Sequence, residues 1–314
     1  MSGEKLAQRN YYGKALAYLA GTNPDVVVLD ADLAGSTKTG DFKKVAPERF
    51  FECGIAEADM IGISAGLALS GKIPFASTFG VFASGRCWEQ IRTSVCYPRA
   101  NVKVVATHCG LSVGPDGATH QALEDVSIMR SLPNMTVVVP CDAYEAYAAT
   151  LAIAEYDGPC YMRMGRSAFP VLREEGCGFE IGKAQTVIEG SDVSVIACGQ
   201  MVQVCTEAAK VLESEGISVE VINMATVKPL DEAAVVATAK KTGAVVTVEE
   251  HSIIGGLGSA VAECLSENHP VRVTRLGTRD VFGESGEADE LLAKHGLDVS
   301  GIADSIRNAV KSRK

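Results

Sequence analysis

The chain has 314 residues, 47% hydrophobic and 22% charged, with a formal net charge of −10. That is ordinary globular composition at a length that suits two domains, and it excludes disordered, collagen-like and disulfide-stapled classes. An acidic chain without a basic cluster also excludes a nucleic-acid partner.

MSGEKLAQRN has no apolar core for a signal peptide, and no apolar run is long enough to span a bilayer, so no membrane is expected and the cytoplasm is the expected compartment. The ten cysteines are scattered without a CxxC pair and read as buried free thiols. His108 and Cys109 stand side by side, but no second ligand pair lies at metal spacing, so no metal site is expected.

In chain order, the β-branched run DVVVLDADL is followed by the small-residue helical stretch GIAEADMIGISAGLALSG. Then come IPFASTF, CWEQIRTSV, NVKVVATHCG, LEDVSIMRSL, MTVVVPCD, AYEAYAATLAIAEY and CYMRMGR. This alternation predicts a parallel sheet covered on both faces. From Val171 to Asp192 the rhythm lapses into a stretch rich in glycine and charge, where a domain boundary is expected, giving domains over 1–180 and 190–314. A second series runs from DVSVIACG through MVQVCTEAAKVLESEG, SVEVINMATV, AVVTVEEHS, GLGSAVAECLSEN and VRVTRLG to a C-terminal helix. The fold class is α/β: two doubly wound domains, the second smaller and with a mixed sheet. Ligands are then expected beyond the carboxyl ends of the strands.

Four constellations stand at such places. Glu57 and Asp59 open the small-residue helix; each suits a helix start, and Glu57 also suits a carboxyl group at the lip of an apolar pocket. Phe79 and Phe82 follow a strand, as core plugs or as a stacking wall for a flat heterocycle. The loop THCGLSVGPDGATHQ gathers His108, Asp116 and His120, groups suited to acid/base work or hydroxyl recognition. RMGRS ends another strand with Arg163 and Arg166, as a surface ion pair or a phosphate clamp.

In order and spacing, GIAEAD, STFGVF, ATHCGLSVGPDGATHQ, SLPNMTVVVPCD and MRMGRS resemble the pyrimidine-binding domain of the transketolase family, and the remainder resembles that family's C-terminal domain. The resemblance implies that Glu57 bonds a ring nitrogen of the thiamin diphosphate pyrimidine and switches its proton. It implies that Phe79 and Phe82 line the pyrimidine pocket and that Asp32 lies near the cofactor. A third aromatic of the family falls at Gly85, which thins the wall. His120 and Asp116 would contact donor-sugar hydroxyls, with Glu57 and His120 the catalytic pair. His108, Arg166, Ser36 and Arg9 would hold a substrate phosphate.

The family holds Mg²⁺ and diphosphate with a GDG sequence, which this chain lacks. The resemblance therefore implies the C-terminal subunit of a split transketolase, beginning where a diphosphate-binding domain has ended. A separate N-terminal subunit would bring GDG and Mg²⁺, and two copies of each would form a heterotetramer. The implied reaction carries a two-carbon ketol unit from a ketose phosphate to an aldose, within carbohydrate metabolism of the pentose phosphate kind. The alternatives are a thiamin enzyme of the deoxyxylulose-phosphate synthase or 2-oxo acid dehydrogenase β type, and a non-catalytic regulatory partner. GGLGSA, between a strand and a helix, resembles a dinucleotide fingerprint, but the family carries such glycines in packing or interface roles.

Overall fold

Runs such as Val26–Asp30 and Val193–Ala197 are buried at every position, as in a strand whose two faces are both covered by helices. The computed structural model describes residues 4–312. Its strands in the first half are β1 (Lys5–Ala7), β2 (Val26–Asp30), β3 (Phe50–Glu52), β4 (Ile73–Phe79), β5 (Lys103–Thr107), β6 (Thr136–Val138), β7 (Cys160–Arg163) and β8 (Ala168–Pro170). The second half adds β9 (Gln185–Ile188), β10 (Val193–Ala197), β11 (Val219–Asn223), β12 (Thr226–Lys228), β13 (Val245–Ser252) and β14 (Val273–Thr278).

The larger sheet has the order β12-β6-β7-β5-β4-β2-β3 and is parallel except for the β12–β6 pair. The smaller, β14-β13-β10-β11-β9, is mixed because β9 runs antiparallel along β11. Strands β1 and β8 form a separate antiparallel pair. No helix among the described residues is long and apolar enough to cross a membrane.

One expected strand divides. SVEVINMATV yields β11 in the smaller sheet and β12 on the edge of the larger one. Met224 N–H donates to Ala197 O (2.8 Å), while Ala225 O accepts from Val139 N–H (2.7 Å), so the backbone changes sheets between those two residues. The halves are accordingly joined: one apolar cluster includes Met129 and Val137 from the first and Ile222, Val227 and Val261 from the second.

Candidate functional site

The parallel strands of the larger sheet release their chains at one end. From β5 the backbone turns at His108 (φ 58°) and Gly110 (φ 87°), then forms a short 3₁₀ helix, Leu111–Asp116, broken at Gly114. Gly110 and Gly117 (φ 73°) are backbone-dictated: both lie in the left-handed region, and an added Cβ would strike the Glu250 carboxylate and the Ser285 hydroxyl, respectively.

From β4 come Phe79 and then Phe82, which begins a wide π-helical turn, Phe82–Arg86, a form often found at functional sites. The Phe79 ring stacks on His108 with centroids 3.9 Å apart and lies near-parallel to Phe82 at 5.9 Å. His120 meets both phenyl rings edge-on, at 6.3 Å from Phe79 and 5.5 Å from Phe82. The two phenylalanines are therefore a wall shared with the two histidines.

Glu57 occupies the first turn of the helix Glu57–Leu69 and is 4% exposed, whereas Asp59 is exposed. Its Oε1 accepts from Arg86 Nη1 at 2.9 Å, and the Arg86 guanidinium lies over the Phe82 ring at 4.3 Å. Neither the pairing nor the stacking of Arg86 is expected from sequence. It adjoins Gly85, where the family's third aromatic would stand, and puts a cation on the ring face beside Glu57.

A basic cluster stands behind the histidines. Arg9 Nη1 donates to Ser36 O (3.0 Å), Arg166 Nη1 donates to Val113 O (2.9 Å), and Asp116 lies 4.0 Å from Arg166. Burial and the charge of Arg166 lower the Arg9 pKa, and the buried Arg9 Nε has no hydrogen-bond partner among the described residues. Burial, reinforced by Arg9, Arg166 and His120, pushes His108 down to about 3, so its imidazole is neutral at ordinary pH. Two mutually repelling guanidiniums, one with an unspent donor, make a place where an anion would relieve strain.

Asp32 (φ 62°) is exposed; its N–H donates to Glu52 Oε1 (2.7 Å), which also accepts from Gly54 N (3.3 Å), tying it to the segment that leads into Glu57. Glu57, Phe79, Phe82, His108 and His120 are thus linked by direct contact through Arg86, and Arg9, Ser36, Asp116 and Arg166 adjoin them. Arg163 stands apart. It is a buried ion pair with Asp125 at 2.9 Å and holds Ala122 O and Glu250 O. Gln8, which carried no sequence signal, spans Pro140 O (2.6 Å) and Gly165 N (2.9 Å) and so fixes the turn bearing Arg166.

The GGLGSA turn is filled from within. The buried Glu249 carboxylate accepts from Leu257 N (2.7 Å) and Gly258 N (2.8 Å), occupying the donors that a nucleotide phosphate would need. His251 is buried between the halves: its Nδ1–H donates to Ser252 O (2.6 Å), leaving Nε2 to accept from Ser127 N (3.3 Å).

Polar loops gathered at the carboxyl ends of a doubly wound sheet, above an aromatic wall and a buried carboxylate, define an α/β protein with a candidate site whose groups suit a flat ring and an anion. The family described as transketolase, pyrimidine binding domain, matches residues 4–171, and that described as transketolase, C-terminal domain, matches 182–302. The chain belongs to the transketolase family.

A Methanocaldococcus jannaschii protein named as a transketolase C-terminal section is 50% identical over 314 residues, covering 99% of this chain and 98% of that one. A Clostridium protein named 6-deoxy-6-sulfo-D-fructose transketolase subunit SqwH is 46% identical over 294 residues, 94% of this chain and 91% of that one. A solved structure described as a split gene transketolase, inactive beta4 tetramer, is 51% identical with a TM-score of 0.93, covering 98% of this chain and all of that one. Because one relative is named for a sulfo-sugar, the expectation of pentose phosphate metabolism is not carried by the family alone.

Proposed function

We propose that this chain is the C-terminal subunit of a thiamin diphosphate-dependent transketolase, with a pyrimidine-binding domain over 1–180 and a C-terminal domain over 190–314. A separate N-terminal subunit would supply the diphosphate and Mg²⁺ site. The observation that carries the reading is the contact series Glu57–Arg86–Phe82–Phe79–His108, which puts a buried carboxylate, two phenyl rings and the edge of a basic cluster into one continuous surface.

The donor set suits the cofactor's pyrimidine end: a buried carboxyl group beside parallel phenyl rings offers one hydrogen-bonding acid and a stacking face. Thiamin diphosphate, when bound, supplies the carbanion chemistry of ketol transfer. Glu57 would hold or release a proton at its carboxyl oxygen, with Arg86 giving up its bond there. Phe79 and Phe82 would exclude water and fix the ring plane, and Asp32 would lie near the cofactor. His120 and Asp116 would orient donor hydroxyls. Arg9, Arg166, Ser36 and neutral His108 would grip the distal phosphate, whose binding supports stabilisation at the reacting carbon.

Two copies with two partner subunits would complete the assembly. The helix Glu57–Leu69 exposes Gly62, Ile63, Gly66 and Leu69, a small-residue face that would suit self-association. The test is reconstitution with a GDG-bearing subunit, thiamin diphosphate and Mg²⁺, measuring ketol transfer from a phosphorylated ketose. Pyruvate utilisation in place of ketol transfer would move the assignment to a different thiamin enzyme, and absence of any thiamin chemistry would overturn it.

A further inference from the structure

The loop from His108 to Gln121 carries Asp116 and His120, and its Gly110, Gly114 and Gly117 all take positive φ, so glycine freedom leaves its conformation to be fixed by what packs around it. Much of that packing comes from the second half of the chain. Glu250, on β13, accepts from Ser112 N–H at 2.5 Å through Oε1, and its Oε2 accepts from Gln200 Nε2 at 2.5 Å. Its carboxylate fills the space over Gly110, so the loop backbone packs onto it. At the far end of the loop the Gln121 amide donates to Gly114 O (3.1 Å) and, across to the second half, to Glu284 O (2.9 Å). Ser285 and Gly286 close on Gly117 and Gly114.

We infer that Glu250 is a positioning residue for the sugar-recognising loop, acting through Ser112 and assisted by Gln121, so that the second half of the chain sets the geometry of Asp116 and His120. This rests on the ketol-transfer reading for what the loop recognises. It does not rest on it for the hold itself. Glu250 touches no group assigned to the cofactor, so its loss separates sugar handling from cofactor binding.

The experiment compares wild type with Glu250→Ala, Glu250→Gln and Gln200→Ala. Gln200 is half-buried, and its replacement removes only the second support of Glu250, which guards against a Glu250→Ala chain that does not fold. Hydrogen–deuterium exchange on the full chain should show peptides over 108–121 exchanging at least about tenfold faster in Glu250→Ala, with β10 and β13 unchanged. In the reconstituted enzyme, kcat/KM for the ketose should fall about tenfold or more while the apparent Kd for thiamin diphosphate stays put. Glu250→Gln, which keeps an acceptor oxygen, and Gln200→Ala should be intermediate.

Unchanged loop exchange overturns the inference. So does loosening that spreads through β10 and β13, which marks Glu250 as a general structural acid, or a loosened loop with normal kcat/KM. If the wild-type complex transfers no ketol unit, the functional reading fails, and the exchange result alone decides whether Glu250 holds the loop.

Discussion

Glu57 and Asp59 are two residues apart in the same helical turn, and only Glu57 is buried. An acid at a helix start gains about 0.3–1 kcal/mol from the dipole while exposed, so the dipole gives no reason to bury it, and desolvation opposes doing so. Burial beside Arg86, which stacks on Phe82, instead suits a group that must address a ligand. Glu57→Gln keeps the size and cannot exchange the proton; ketol transfer by the reconstituted enzyme should drop by a factor of about 10²–10⁴ with thermal unfolding little changed. Near-normal turnover would return Glu57 to the role of an ion-pair partner. Arg166 serves as the phosphate test. Replacing it with Ala removes a charge-assisted bond worth about 1.5–3 kcal/mol, so KM for a phosphorylated ketose should rise by about one to two decades. A short unphosphorylated hydroxy-keto acid should be nearly unaffected. Equal losses on both would mean that the bond to Val113 O, which ties Arg166 to the loop, matters more than the phosphate.

At the level of elements, the parallel strands and the loops after β4 and β5 are legible in sequence because buried strands are continuous β-branched runs and glycine marks their exits. The supports of the site are not legible in this way. Gln8, Gln121 and Glu250 are ordinary polar residues until the fold brings them partners from far along the chain, Asp30 until the segment after it folds back onto it, and Arg86 is informative only once the ring face of Phe82 lies beneath it. The division of β11 from β12 is equally hidden, since MAT looks like continued strand until two sheets compete for its backbone. Asp30 shows what such a support does. At the end of β2 it accepts from Leu33 N (2.6 Å), Thr37 Oγ1 (2.7 Å) and Thr39 Oγ1 (2.8 Å), folding the segment that carries Asp32 and Ser36. Burial pushes its carboxyl up to about 6, against those three donors, which favour the charged form. An unfolded aspartate titrates at about 3.9, so from about pH 4 to 6 the native chain keeps a proton that the unfolded chain has released. The contribution of Asp30 to stability is thus full below that window and lost as pH rises through it. Unfolding temperatures of wild type and Asp30→Asn, followed from about pH 4 to 7, should show the wild-type advantage shrinking upward. An advantage that grows with pH would mean that the three donors keep Asp30 ionised throughout.

For the whole molecule, the proposed reading divides one active site between two chains. On that reading this chain would offer a face for the pyrimidine ring and a grip for a phosphate; it has no GDG sequence for the diphosphate and Mg²⁺. The described residues contain no group of three or more His, Cys, Asp or Glu placed to hold a metal ion. Stacking on Phe82 and one bond to Glu57 must also displace Arg86, so the ring alone gains little net affinity over the ion pair it breaks. The purified chain should therefore be folded, self-associated through the small-residue face of the helix Glu57–Leu69, and catalytically silent. Calorimetry with thiamin diphosphate and Mg²⁺ should register no tight binding until the partner subunit is added, and sedimentation should report at least a dimer. Sub-micromolar cofactor binding by the chain alone, or ketol transfer without a partner, would overturn the two-chain site. A monomer that nonetheless assembles into active enzyme would leave the site divided but would move the self-association surface away from the helix Glu57–Leu69.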